Sequence, residues 1–88
     1  MEENLLFIIK SWPYCKEALS WMDELKKENP AYNEAAFTVI DEIEKPDVAN
    51  KYHYYLVPTY YVNGKKVHEG IASKDIIETI LKKAISDS

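Results

Sequence analysis

Leu5-Leu6-Phe7-Ile8-Ile9 is a continuous apolar run, too short to cross a membrane and apolar at both alternating positions. It reads as a strand buried on both faces, the kind found in a sheet with helices packed above and below it. Lys10-Ser11-Trp12 leaves the run, and Pro13 suits a first helical position, where its missing N–H is not needed. Cys15, Ala18, Leu19, Met22 and Leu25 follow at helical spacing, with Asp23, Glu24, Lys26, Lys27 and Glu28 mostly on the other side. Asn29-Pro30 stops this helix, which is predicted over residues 13–28.

The stretch 34–41 contains Phe37-Thr38-Val39-Ile40, rich in strand formers, and reads as a second buried strand ending at Asp41-Glu42. Lys45-Pro46-Asp47 opens a second helix, with Val48, Ala49, Tyr52 and Tyr55 on one face and an end near Tyr55-Leu56. Residues 57–62 form a third strand, in which Pro58 marks either a sheet edge or the strand start. Asn63-Gly64 is the strongest hairpin signal, returning the chain as a fourth, antiparallel edge strand over 65–69, where lysines discourage further pairing. Gly70 ends that strand, and Ser73 suits a helix cap. Ile76, Ile77, Ile80, Leu81 and Ile85 carry the apolar face of a last helix, with Lys82 and Lys83 complementing its dipole. The order β-α-β-α-β-β-α predicts an α/β fold: a four-stranded mixed sheet with helices on both faces, its first two strands parallel.

Eighty-eight residues make one domain, expected to span 1–88. All 11 basic residues are lysine, and the net charge is −4 with a pI near 5.1. Without arginine and with an acidic balance, nucleic acid and anionic membranes are not expected partners. One cysteine closes no internal disulfide, and the acidic start Met1-Glu2-Glu3-Asn4 resembles no secretion signal. A reducing cytoplasm is the expected compartment.

Trp12-Pro13-Tyr14-Cys15 resembles the active-site turn of glutaredoxins, whose core is Cys-Pro-Tyr-Cys. Two further features agree. Val57-Pro58-Thr59 is similar to the cis-proline segment that opens the third strand of that family, and Asn63-Gly64-Lys65-Lys66 with Glu69-Gly70 is similar to its hairpin and glycine turn. Together they span nearly the whole chain. The resemblance implies a thioredoxin-like fold, a cis bond before Pro58, and a groove between the Trp12–Cys15 turn and Pro58. Trp12, Pro13, Tyr14, Val57, Pro58, Lys10 and Gly70 would line that groove. The Val57 backbone would pair with glutathione or an extended thiol-containing peptide or protein, as in strand addition. Glutathione is the implied co-substrate; no tightly bound cofactor is expected. The departures are equally specific. Trp12 stands where the family has its nucleophilic cysteine. Ile9 stands where the family often has a basic residue, with Lys10 one position later, and Glu69 takes the place of one glycine of a pair.

Thiol–disulfide exchange needs a thiolate nucleophile and, in its dithiol form, a resolving thiol. With Cys15 as the only thiol, a reaction would end as a mixed disulfide or a sulfenic acid. The helix N-terminus favours the Cys15 thiolate, whereas burial on the apolar face with Ala18, Leu19 and Met22 disfavours it. Cys15 thus reads either as the catalytic residue of a weak oxidoreductase or as an inert core thiol. Trp12 reads as a stacking platform or as a plug filling the groove. Tyr14 reads as a flank of the groove or a half-exposed helix residue. Tyr52, Tyr54, Tyr55, Tyr60 and Tyr61 read mainly as packing, with a partner surface as the rival. His53 and His68 have no ligand spacing for a metal.

Overall fold

The computed structural model describes residues 4–86, so Met1-Glu2-Glu3 of the acidic start lies outside the described residues. The elements are β1 (Leu5–Ile8), α1 (Pro13–Glu28), a 3-10 helix (Pro30–Glu34), β2 (Thr38–Asp41), α2 (Pro46–Ala49), β3 (Thr59–Val62), β4 (Lys65–Glu69) and α3 (Lys74–Ser86). The strands form one sheet in the order β2-β1-β3-β4. β1 runs parallel to β2 and antiparallel to β3, and β4 closes an antiparallel hairpin with β3. This is a thioredoxin-like fold. Among the described residues no helix is long and apolar enough to cross a membrane.

β1 lies inside the sheet with every residue buried, as its unbroken apolar run demands. Its side chains alternate between two layers. Leu6 pairs with Tyr60, whose hydroxyl donates to the Met22 sulfur of α1 at 3.3 Å, so this side faces the helical layer. There α1 buries Cys15, Ala18, Met22 and Leu25, and α3 buries Ile77, Ile80, Leu81 and Ala84. Phe7 points the other way, stacked on Tyr54 at 4.9 Å and edge-on to Tyr61 at 5.7 Å. α2 and the run after it cover that second face.

α1 spans the predicted residues, with Pro13 in its first turn. Ser73 does cap α3: its hydroxyl oxygen accepts the Ile76 N–H at 3.2 Å. Four expectations need correction. β2 begins only at Thr38, because Pro30 starts a 3-10 helix whose entry is held by the Asn29 side chain accepting from the Ala31 N–H. β2 is also an edge strand rather than a buried one, and Val39 keeps 42% of its surface in solvent. α2 stops at Ala49: the N–H groups of Lys51 and Tyr52 reach back only three residues, to Val48 and Ala49, and the helix unwinds. Tyr55 therefore leaves the apolar face and is 95% exposed. Of the two readings of Pro58, the strand start holds, because it precedes an interior strand. In α3, Ile76 is exposed and Ala84 takes its place in the buried stripe.

The β3–β4 ladder carries one irregularity. Thr59 faces Glu69 and Tyr60 faces His68, but Tyr61 faces Lys66, leaving Val67 as an extra residue on β4.

Candidate functional site

Four chain segments converge at one end of the sheet. Ile8 pairs with Asp41, Phe7 with Thr59, and Thr59 with Glu69, so β1 and β2 end, β3 begins and β4 ends at the same margin. The Trp12–Cys15 turn, the Asp41–Glu44 turn, the segment before Pro58 and the Glu69-Gly70 corner are therefore neighbours. Extending the antiparallel register by two residues sets Val57 across from Ile9.

The turn after β1 is closed by the Trp12 N–H on the Ile9 carbonyl at 3.0 Å. The Trp12 carbonyl then accepts from the Cys15 and Lys16 N–H groups, each at 3.1 Å, which starts α1. Trp12 and Tyr14 stand outward, 48% and 50% exposed. Cys15 turns inward and is completely buried at 0% exposure. Its sulfur accepts the Ile9 N–H at 3.4 Å, tying the thiol to the end of β1. Burial pushes the Cys15 pKa up; the Ile9 hydrogen bond works against this, and the charges of Asp41 and Glu42 add to it. The raised pKa favours the thiol form at neutral pH.

The Val57–Pro58 bond is cis, as the resemblance implied. The Pro58 carbonyl accepts the Gly70 N–H at 2.9 Å. Among the described residues, the Val57 N–H and C=O have no hydrogen-bond partner. Gly70 has φ of +96°, and a Cβ there would come within 3.3 Å of the Leu56 side chain, so both conformation and space call for glycine. Lys10 points its ammonium at Glu44, 3.0 Å away, in a pair that is more than half exposed on both sides.

Two residues have positioning roles that the sequence reading did not assign to them. Asp41 is buried, and its carboxylate accepts from the Lys10 N–H at 3.0 Å and the Ile43 N–H at 2.8 Å. Those bonds, led by the one from Lys10, hold its pKa below the usual carboxylate range. Its aspartate-turn contact to a residue two positions on was a legible local signal; the contact to Lys10 was not. The second is Glu69. Its carboxylate accepts from the N–H groups of Tyr55 and Leu56 and pairs with Lys66. The Lys66 ammonium, then the Tyr55 N–H, lower its pKa to about 2. Glu69 thereby fixes the two residues ahead of Val57. No spacing in the sequence reveals that contact, because it crosses 13 or 14 positions.

The assembled site offers an unpaired backbone at Val57, an exposed indole at Trp12, and exposed Tyr14, Tyr55, Leu56 and Ile71 around them. It offers no exposed thiol. Among the described residues no group of three or more His, Cys, Asp or Glu side chains could hold a metal ion.

No protein-family model matches the chain, and no curated protein matches it in sequence. Among solved structures, one described as that of a malarial protein is similar in fold, with a TM-score of 0.68 over 92% of this chain and 93% of that chain. At 21% identity the likeness shows a shared fold and nothing of the chemistry.

Proposed function

We propose that the protein is a glutaredoxin-like binder of glutathione or of an extended thiol-containing peptide, with redox turnover weak or absent. The observation that carries this reading is the unpaired Val57 backbone beside an exposed Trp12, in a site whose single thiol is fully buried. An extended ligand adds to the Val57 N–H and C=O as a strand would, and Trp12 and Tyr14 supply ring faces along its side. Gly70 and Pro58 shape the far wall. Lys10 reaches a ligand carboxylate only by exchanging Glu44, a weak and exposed partner. Any covalent step rests on Cys15, with glutathione as the co-substrate. Burial of Cys15 favours the rival reading in which the groove binds a peptide or protein partner with no covalent step at all. A reducing compartment such as the cytoplasm suits either form.

The test is glutathione-dependent reduction of a small mixed disulfide by the wild type, Cys15→Ser and Trp12→Cys. The expected result is turnover only in Trp12→Cys, which restores a thiol at the exposed position. Wild-type turnover that Cys15→Ser abolishes would overturn the inert-thiol account. Inactivity of all three would count against a usable glutathione site. Thiol labelling adds an independent readout: Cys15 is expected to react slowly in the folded protein and quickly in denaturant.

A further inference from the structure

Beneath α2 lies a cavity of about 310 Å3, within the range of small-ligand sites. Glu42 and Tyr55 lie on segments that also border the candidate site, but the function proposed above makes no use of this cavity. Glu42, Asn50, Tyr52, Tyr54 and Tyr55 line it, together with apolar positions of α2, and no lysine does. The lining therefore carries one formal charge, the Glu42 carboxylate, and several oxygen acceptors. The Tyr54 hydroxyl donates to Glu42 Oε1 at 3.2 Å, which orients the carboxylate; Oε2 has no partner among the described residues. The ring of Tyr54 is itself fixed by stacking on Phe7, and Tyr52 packs 5.0 Å from the same ring. The Glu42 carboxylate and the Tyr54 hydroxyl are thus held against a packed aromatic layer, while Asn50 and Tyr55 are exposed at its rim.

That chemistry favours a cationic hydrogen-bond donor. An anion meets Glu42 with no compensating cation. A quaternary ammonium leaves the carboxylate, carboxamide and hydroxyl oxygens without donors. A primary ammonium brings three N–H donors and one positive charge. We propose that this cavity binds a primary alkylammonium group, carried either by a small amine or by a lysine side chain. Glu42 supplies the counter-charge, and Asn50 and the tyrosine hydroxyls supply the remaining acceptors, with the tyrosine rings flanking the alkyl stem.

The full chain can be titrated by NMR with n-butylamine, which is an ammonium at neutral pH, and with n-butanol as an uncharged match. The expected result is a saturating shift of the Asn50 amide and of the Tyr52 and Tyr54 ring signals, with butylammonium bound about tenfold more tightly than butanol. Glu42→Gln, which keeps an acceptor for Tyr54, is expected to weaken binding about tenfold. Asn50→Lys places a cation of the chain's own in the cavity and is expected to abolish binding. A lysine tripeptide with blocked ends distinguishes the sources. Binding equal to butylamine assigns the site to a protein lysine, and binding of the free amine alone assigns it to a small amine. Equal binding of butanol, indifference to both substitutions, or no saturating shift would overturn the proposal.

Discussion

On one face of the sheet, Leu6, Ile8 and Tyr60 meet two amphipathic helices whose buried positions recur at helical spacing. On the other, Phe7 and Tyr61 meet Tyr52 and Tyr54, which belong to a run without regular structure after one turn of helix. The first face is held by aliphatic packing. The second is held by rings, two of whose hydroxyls are tied down: Tyr61 donates to the His53 carbonyl at 3.0 Å and Tyr54 to Glu42. Aliphatic packing needs a repeated pattern and gains from every methylene buried. An aromatic layer needs few residues but must place each polar tip, and that requirement leaves oxygen atoms at the margin where ligands can use them.

Four measurements can break or sharpen that contrast. The largest effect is expected at the helical face: Leu81→Ala opens a cavity in a fully buried position and is expected to cost about 2–5 kcal/mol in a denaturant titration. On the aromatic face, Tyr61→Phe keeps the ring and loses only the bond to the His53 carbonyl, so about 1 kcal/mol is expected. A Tyr61→Phe cost as large as that of Leu81→Ala would dissolve the distinction. A third effect is confined to acid. Glu69 has a folded pKa below its unfolded value, so its contribution is fully present above about pH 4.5 and is lost as pH falls toward about 2. Asp41 shifts in the same direction. Glu69→Gln is expected to flatten the acid limb of stability against pH and to speed amide exchange at Tyr55 and Leu56, the residues its carboxylate holds. The smallest change is expected for Ile76→Ser on the exposed side of α3, within about 0.5 kcal/mol.

The helical face was legible in the sequence because α1 and α3 repeat their apolar residues every three or four positions, and Pro13, Asn29 and Ser73 punctuate them. β1, β4 and the hairpin were equally readable from an unbroken apolar run and from Asn63-Gly64. The aromatic face was not. The helical pattern Val48, Ala49, Tyr52, Tyr55 continues past Ala49, yet the chain leaves the helix there, and further on Glu69, distant in sequence, takes the N–H groups of Tyr55 and Leu56. A short-range pattern cannot report a long-range acceptor. β2 failed for a related reason: Phe37-Thr38-Val39-Ile40 has strand propensity, but propensity does not say whether a neighbour covers both sides. At the candidate site, the turn at Trp12, the cis bond at Pro58 and the corner at Gly70 were all readable as positions. Whether Cys15 faces in or out depended on how α1 meets β1, and that is a matter of packing.

The extra residue Val67 on β4 decides a question of parity. In an uninterrupted strand, side chains an odd number of positions apart project to opposite sides, so Lys66 and Glu69 would be parted by the sheet. With Val67 inserted, Lys66 lies opposite Tyr61 and Glu69 opposite Thr59, two β3 residues that share a side. The ammonium and the carboxylate can then meet, and the carboxylate reaches the N–H groups of Tyr55 and Leu56. The hairpin is therefore a counting device: its length and its single irregularity together determine whether the segment ahead of Val57 is anchored. An even number of added or deleted residues on β4 preserves that phase, and an odd number reverses it.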